Sequence, residues 1–134
     1  MILKNKDMVL YESAENYLEM MLVLREEKGH IRSIDIANGL GVTKPSVSVA
    51  VKRLKENGFL TMEDGGEIHL TDKGEESAKR ILERHKTIAA VLMELGVDEK
   101  TACEDACKIE HDISDTSFEA IAHHLQANKE QDNK

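Results

Sequence analysis

At 134 residues the chain has room for one domain, or a small domain with a helical appendage, and its 40% hydrophobic content is enough for a core. The absence of Trp and an aromatic share of 3% exclude a stacking platform for single-stranded nucleic acid and an aromatic cage. A formal net charge of -8 argues against indiscriminate nucleic-acid binding by the whole chain, yet Lys44, Lys52, Arg53 and Lys55 gather in one segment while residues 94–119 are strongly acidic, so a basic face can be kept apart from a cation-attracting one.

Residues 1–10 are too short for a signal peptide or a membrane span and are interrupted by Lys4, Lys6 and Asp7. The expectation is a cytoplasmic protein with no membrane partner, in which Cys103 and Cys107 stay reduced. Residues 12–27 read as a first helix, with Tyr17, Met20, Met21 and Leu24 at helical spacing and Lys28-Gly29 as its stop. A short second helix over 33–40 carries Ile34, Ile36, Ala37 and Leu40. Gly41-Val42-Thr43 makes a tight turn, and a third helix over 44–57 has Pro45 in its first turn and Gly58 after its end. Val47, Val51 and Leu54 share one face of that helix, which leaves Ser46, Ser48, Lys52, Arg53 and Lys55 elsewhere.

Strand-like runs over 59–62 and 67–70 flank Glu63-Asp64-Gly65-Gly66, a hairpin signal. Three helices followed by a hairpin make a winged helix-turn-helix, although a helical hairpin inside some other domain remains open. In the winged-helix reading the third helix enters a major groove of double-stranded DNA by its N-terminal end. Thr43, Pro45, Ser46 and Val49 would meet bases, Lys52 and Arg53 would neutralise phosphates, and Lys44, Ser48 and Arg32 complete the candidate DNA-binding set. None of the base-facing residues makes a bidentate contact, so readout would rest on thymine methyl groups and DNA shape.

Thr71 can cap a long fourth helix to about residue 95, ended by Gly96, with an apolar stripe of Ala78, Ile81, Leu82, Ile88, Ala89 and Leu92. His85 lies within that stripe, either as a satisfied core residue or as a ligand. A fifth helix over 98–113 is capped by Asp98, and Thr116 with Glu119 forms a capping box for a sixth helix to about 126; residues 128–134 should fray. The apolar faces of the fourth and last helices exceed what one small monomer buries, so a two-fold homodimer is expected.

Cys107-Lys108-Ile109-Glu110-His111 puts a thiol, a carboxylate and an imidazole at i, i+3 and i+4 on one helix face. That set suits Fe(II), Co(II), Zn(II) or Ni(II), and its carboxylate keeps Mn(II) possible; the bland alternative is a buried Cys beside a surface Glu-His pair. Asn16 and Glu19, one turn apart on the first helix, present a face that could close the same site.

Together these features resemble the diphtheria toxin repressor family of iron- and manganese-dependent regulators. The resemblance rests on Glu15-Asn16-Tyr17-Leu18, Asp35-Ile36-Ala37, Pro45-Ser46-Val47-Ser48, Leu70-Thr71-Asp72-Lys73-Gly74, Arg84-His85 and residues 107–114, and covers roughly residues 12–126. It implies a mainly α fold: a winged helix-turn-helix over 1–72, then an α-helical metal-binding and dimerisation domain over 73–134. It implies a metal-dependent repressor of metal-homeostasis genes, not an enzyme, that binds a palindromic operator when loaded with Fe(II) or Mn(II), with Co(II), Ni(II) or Zn(II) as substitutes.

Position by position, Cys107, Glu110 and His111 match a ligand trio, and His85 and Glu19 match further ligands. The length matches the short, manganese-type members without an added C-terminal domain, yet Cys107 is the ligand of the iron branch where the manganese branch has Glu. Asn16 stands where the branches hold Met or Asp, and Ala89 and Cys103 replace the Glu and His of the iron branch's second site. Two other functions fit the same residues: a small metalloenzyme using the Cys/His/Glu site, and a winged-helix regulator that senses oxidation through Cys103 and Cys107.

Overall fold

The computed structural model describes the backbone of residues 2–132 and the side chains of residues 14–130. Its elements run α1 (Ile2–Lys28), α2 (Ser33–Leu40), α3 (Lys44–Glu56), β1 (Leu60–Met62), β2 (Ile68–Leu70), α4 (Asp72–Glu94), α5 (Glu99–Asp112) and α6 (Asp115–Asp132). The chain divides into two units, 1–80 and 81–134, and the boundary falls within α4. The mainly α architecture with a winged helix-turn-helix is as the sequence implies.

In the first unit α1, α2 and α3 pack on one another, and α3 also packs on β1. Leu18, Met21 and Leu22 of α1, Ile36 of α2, Val47, Val51 and Leu54 of α3, and Leu60 and Ile68 of the hairpin are all buried, an aliphatic core assembled from helical and strand periodicities. The α2–α3 turn works because Gly41 adopts φ 68°, a left-handed conformation that a side chain would oppose, and the Val42 N–H reaches the Ala37 carbonyl at 3.1 Å. Thr43 then caps α3, its hydroxyl accepting the Ser46 N–H at 3.3 Å.

The wing pairs Leu60 with Leu70, Thr61 with His69 and Met62 with Ile68. It is anchored to the segment before α2 through the Arg32–Glu67 bridge and through the Ile68 N–H, which donates to the Ile31 carbonyl at 2.9 Å. The start of α4 is fastened to the hairpin as closely. The Thr71 hydroxyl donates to the Gly58 carbonyl at 2.6 Å and accepts the Gly74 N–H at 3.2 Å, and Lys73 Nζ reaches the Asn57 carbonyl at 3.0 Å. Gly74 is required there, since a Cβ would lie 1.9 Å from the Phe59 carbonyl oxygen.

In the second unit Ile88 and Ala89 of α4 meet Ala102 and Ala106 of α5, with Leu92, Val97, Cys103, Ile109, Ile113 and Phe118 packed around them. Two alanines on α5 allow the helices to approach closely. The Asp98 carboxylate accepts the Thr101 N–H at 3.0 Å, so it caps α5 as its position suggests.

The sixth helix departs from expectation at both ends. Its cap is Ser114, whose hydroxyl accepts the Ser117 N–H at 3.1 Å, so Thr116 lies inside the first turn and the Thr116/Glu119 capping box does not form. The helix also continues to Asp132, through most of the tail expected to fray; residues 133–134 lie outside the described ones. The first helix likewise starts at Ile2, ten residues earlier than its apolar spacing indicates. The side chains of residues 1–10, on which the expected lack of a leader rested, lie outside the described residues. No helix among the described residues is long and apolar enough to cross a membrane.

Candidate metal centre and nucleic-acid face

The last turns of α5 bring Cys107, Glu110 and His111 together, each offering a donor atom within 4.8 Å of the others. Ligands bonded to one small cation sit roughly 3–4 Å from each other, so modest rotamer shifts close this set on an ion. Glu110 is 1% exposed and is the buried charged residue among the described ones. Burying a carboxylate costs several kcal/mol, to order of magnitude, unless partners compensate. Here two imidazoles face it: His85 Nδ1 lies 3.1 Å from Oε2, and His111 Nε2 lies 3.4 Å from Oε1.

A thiol, a carboxylate and an imidazole gathered on α5, with a second imidazole on the other oxygen of the same carboxylate, form the donor chemistry that divalent transition metals select. The bland alternative for Cys107, with Glu110 and His111 on the surface, is excluded by burial: the side chains of Glu110 and His111 are 1% and 4% exposed. His85 sits within the α4 stripe yet turns its ring nitrogen to Glu110, so it is held by the same cluster. Asn16 and Glu19 are half-buried in α1, three residues apart and thus on one face, within the first unit. Cys103 belongs to the apolar cluster with Ala89, so the two replaced positions of the iron branch's second site line a hydrophobic contact.

A second set of donors, Glu63, Glu67 and His69, gathers on the wing. It is a solvated surface pair in the first place, with His69 Nε2 2.9 Å from Glu63 Oε1 and both side chains about half or more exposed (48% and 62%).

On α3 the residues expected to face DNA are exposed: Lys44, Pro45, Ser46, Ser48, Val49, Lys52 and Arg53, with Thr43 at the cap. Val49 is 54% exposed, unusual for a large aliphatic side chain on a helix whose other valines are buried. The Thr43 hydroxyl also donates to Ser46 Oγ at 2.9 Å, so the two hydroxyls are presented as a unit. Arg32 is exposed at the start of α2, and its Nη1 donates to the Gly65 carbonyl at 3.0 Å, which ties the wing tip to α2.

Sequence reasoning gave Arg84 no role beyond its place in the Arg84-His85 pair. Its guanidinium donates to the carbonyls of Glu110 and Ile113 at 3.2 and 3.4 Å, pairs with Asp115 and lies over the Phe118 ring. The available signal was a charged residue beside His85 on an otherwise apolar stripe.

A winged helix followed by a helical unit with a buried transition-metal donor set defines a metal-responsive DNA-binding protein. Residues 9–66 match the family model "Iron dependent repressor, N-terminal DNA binding domain", and residues 71–133 match "Iron dependent repressor, metal binding and dimerisation domain". The chain belongs to this family, the diphtheria toxin repressor family. An uncharacterized HTH-type transcriptional regulator of Methanocaldococcus jannaschii is 42% identical over 82% of this chain and 90% of its own length. The HTH-type transcriptional regulator MntR of Bacillus subtilis is 37% identical over 90% of this chain and 84% of its own. The crystal structure of T. acidophilum IdeR superposes with a TM-score of 0.73 at 26% identity, covering 84% of this chain and 53% of that one, so the chain spans about half of that structure's length. The function is metal-dependent transcriptional repression, with iron or manganese as the metals of the family; the metalloenzyme and thiol-sensor alternatives find no support in these relatives.

Proposed function

We propose that Cys107, Glu110, His111 and His85 serve as ligands to divalent metal, Fe(II) or Mn(II) in the cell, and that a dimer so loaded grips a palindromic operator. The observation that carries this is the buried Glu110 carboxylate, set among a thiol and two imidazoles in a core that otherwise admits apolar residues. A bound cation supplies the positive charge that neutralises Glu110 and the Cys107 thiolate. The chain acts by binding rather than by catalysis, and it works in the cytoplasm, where reduced thiols and free divalent metal coexist.

The N-terminal end of α3 would enter the major groove: Thr43 and Ser46 bond phosphate or base edges, Pro45 and Val49 meet thymine methyl groups, and Lys44, Ser48, Lys52 and Arg53 bind backbone. Arg32 approaches a phosphate from the start of α2 and also holds the wing tip through Gly65. The exposed Met93 and Leu95 (45% and 76%) mark an apolar surface suited to a second copy, whose two-fold symmetry a palindrome mirrors. Metal and operator then strengthen each other's binding reciprocally, a coupling of ~1–3 kcal/mol being enough for a change of about 5- to 150-fold.

The test is an anaerobic gel shift on the native promoter region with Fe(II), Mn(II) or chelator, together with sedimentation of the same samples. A retarded dimer complex that forms with metal and disappears with chelator is expected. Equal retardation in chelator would reject metal control, and a monomer at micromolar concentration in every sample would reject the dimer. Lys52→Glu should weaken binding to all sequences and flatten its salt dependence, as loss of a phosphate contact does.

A further inference from the structure

We infer that Arg84 is a positioning residue for the metal donors, a role that rests on the proposed site at Cys107, Glu110 and His111. Two of those donors, Glu110 and His111, stand in the last turn of α5, where the helix's final carbonyls have no intrahelical partner and the backbone tends to fray. Arg84 answers that weakness. Its side chain is 12% exposed, and its Nη1 donates to the Glu110 carbonyl at 3.2 Å and to the Ile113 carbonyl, just past the helix end, at 3.4 Å.

The guanidinium is itself held on two sides, by the ion pair with Asp115 in the first turn of α6 and by the Phe118 ring, 4.9 Å from its central carbon to the ring centroid. The next residue of α4, His85, reaches the carboxylate of the same Glu110 at 3.1 Å. Consecutive residues of α4 therefore hold Glu110 by its main chain and by its side chain. Metal donors must be kept within about 0.5 Å of their working geometry by neighbours whose own positions are locked. A planar guanidinium fork can bridge two carbonyls and a carboxylate at once, whereas a lysine ammonium on a flexible stem cannot reproduce that fixed span.

Anaerobic Co(II) titration of the full-length chain, followed by its visible and thiolate charge-transfer bands, tests this. Arg84→Met retains a straight apolar stem and good helix propensity but removes the fork, and should weaken Co(II) binding by about 10–100-fold while altering the bands. Arg84→Lys should fall between it and the wild type, and Arg80→Met, an exposed change on the same helix, should bind Co(II) as the wild type does. Wild-type affinity and an unchanged spectrum in a folded Arg84→Met protein would overturn the role of Arg84 alone. Failure of the wild type to give a thiolate–Co(II) band would overturn the site and this role together. Should Arg84→Met not fold, Asp115→Asn decides, because it leaves the guanidinium and removes its anchor. Altered bands with weaker binding would then support the role, and wild-type behaviour would reject it.

Discussion

The two units treat burial differently. Between Tyr17 and Ala78 the buried side chains are aliphatic apart from Tyr17, and the charged ones stay at the surface: Lys28 with Asp35, Arg25 with Glu75, and the exposed basic residues of α3. The smaller second unit closes over Glu110 and fills the space around it with imidazole and thiol. A core that short of apolar area gains nothing in stability from a buried carboxylate, whose desolvation costs several kcal/mol to order of magnitude. Departure from the ordinary burial rule marks the place where function has displaced stability. In the first unit the candidate functional residues lie on the surface of an ordinary core, and in the second they lie within the core itself.

The sharpest way to break that contrast is Glu110→Gln, which keeps the shape and removes the charge. The wild type should gain about 2.7 kcal/mol of stability at a metal concentration 100 times Kd, read as a rise in unfolding temperature with added Mn(II). Glu110→Gln should lose that gain while its metal-free unfolding remains cooperative. His111→Ala should abolish metal-dependent operator binding with the fold intact, checked by circular dichroism beside the gel shift. A variant that still responds to metal as the wild type does would show that the second core is not the sensor.

The complementary change in the first unit acts on folding alone. In Gly74→Ala the new Cβ would sit 1.9 Å from the Phe59 carbonyl oxygen, a backbone atom that cannot swing aside. Overpacking of this kind costs about 1–3 kcal/mol, measurable as a lower urea midpoint. The affinity of the remaining folded protein for Co(II) should be unchanged, since Gly74 contributes nothing to the donor set.

The same contrast governs what the sequence makes legible. In the first unit the signals are local: Gly41 requires a left-handed turn, Thr43 and Pro45 start a helix, and Gly65-Gly66 marks a hairpin between alternating runs. Each depends on neighbours in the chain, so periodicity and turn chemistry place α2, α3 and the two strands to within a residue or so, whereas α1 starts ten residues ahead of its apolar spacing. The clustering of Cys107, Glu110 and His111 is legible for the same reason, because i, i+3 and i+4 fix a shared face whatever lies opposite. What lies opposite is not written locally. The contact of His85 with Glu110 depends on how α4 and α5 pack, and the hydrogen-bond partners of Arg84 lie 26 to 31 residues away, so nothing in its own neighbourhood beyond the Arg84-His85 pair points to them. Arg32 looks like any exposed cation next to a helix start; its bond to the wing tip depends on a hairpin turn 33 residues on.

Within the donor set, Cys107 offers a smaller and more selective test. A thiolate is a poor partner for a hard ion, so Cys107→Glu should move preference from Fe(II) or Co(II) toward Mn(II) by about tenfold, near 1.4 kcal/mol, while keeping a site. Anaerobic competition titrations of wild type and variant read this directly. Identical preferences in both would place the Cys107 sulfur outside the metal's ligands.

The smallest effects expected come from the two helix caps of the second unit, and they sharpen the comparison because they touch stability there without touching the site. α6 has two hydroxyls within three residues, Ser114 and Thr116, and only the former accepts an N–H ahead of the helix, from Ser117 at 3.1 Å. Ser114→Ala should therefore cost about 1 kcal/mol, whereas Thr116→Ala should be nearly neutral. α5 is capped by a carboxylate instead. The Thr101 N–H donating to Asp98 holds that carboxyl below its ordinary range. A depressed folded value means the cap stabilises fully above the unfolded carboxyl's range, about pH 4, and loses its contribution as pH falls through the lower folded value. Asp98→Asn should thus differ from the wild type in the slope of unfolding temperature against pH on the acid side, while Ser114→Ala shifts the whole curve without changing its slope. Parallel pH curves for all three proteins would show that the Asp98 carboxylate is not the group that caps α5.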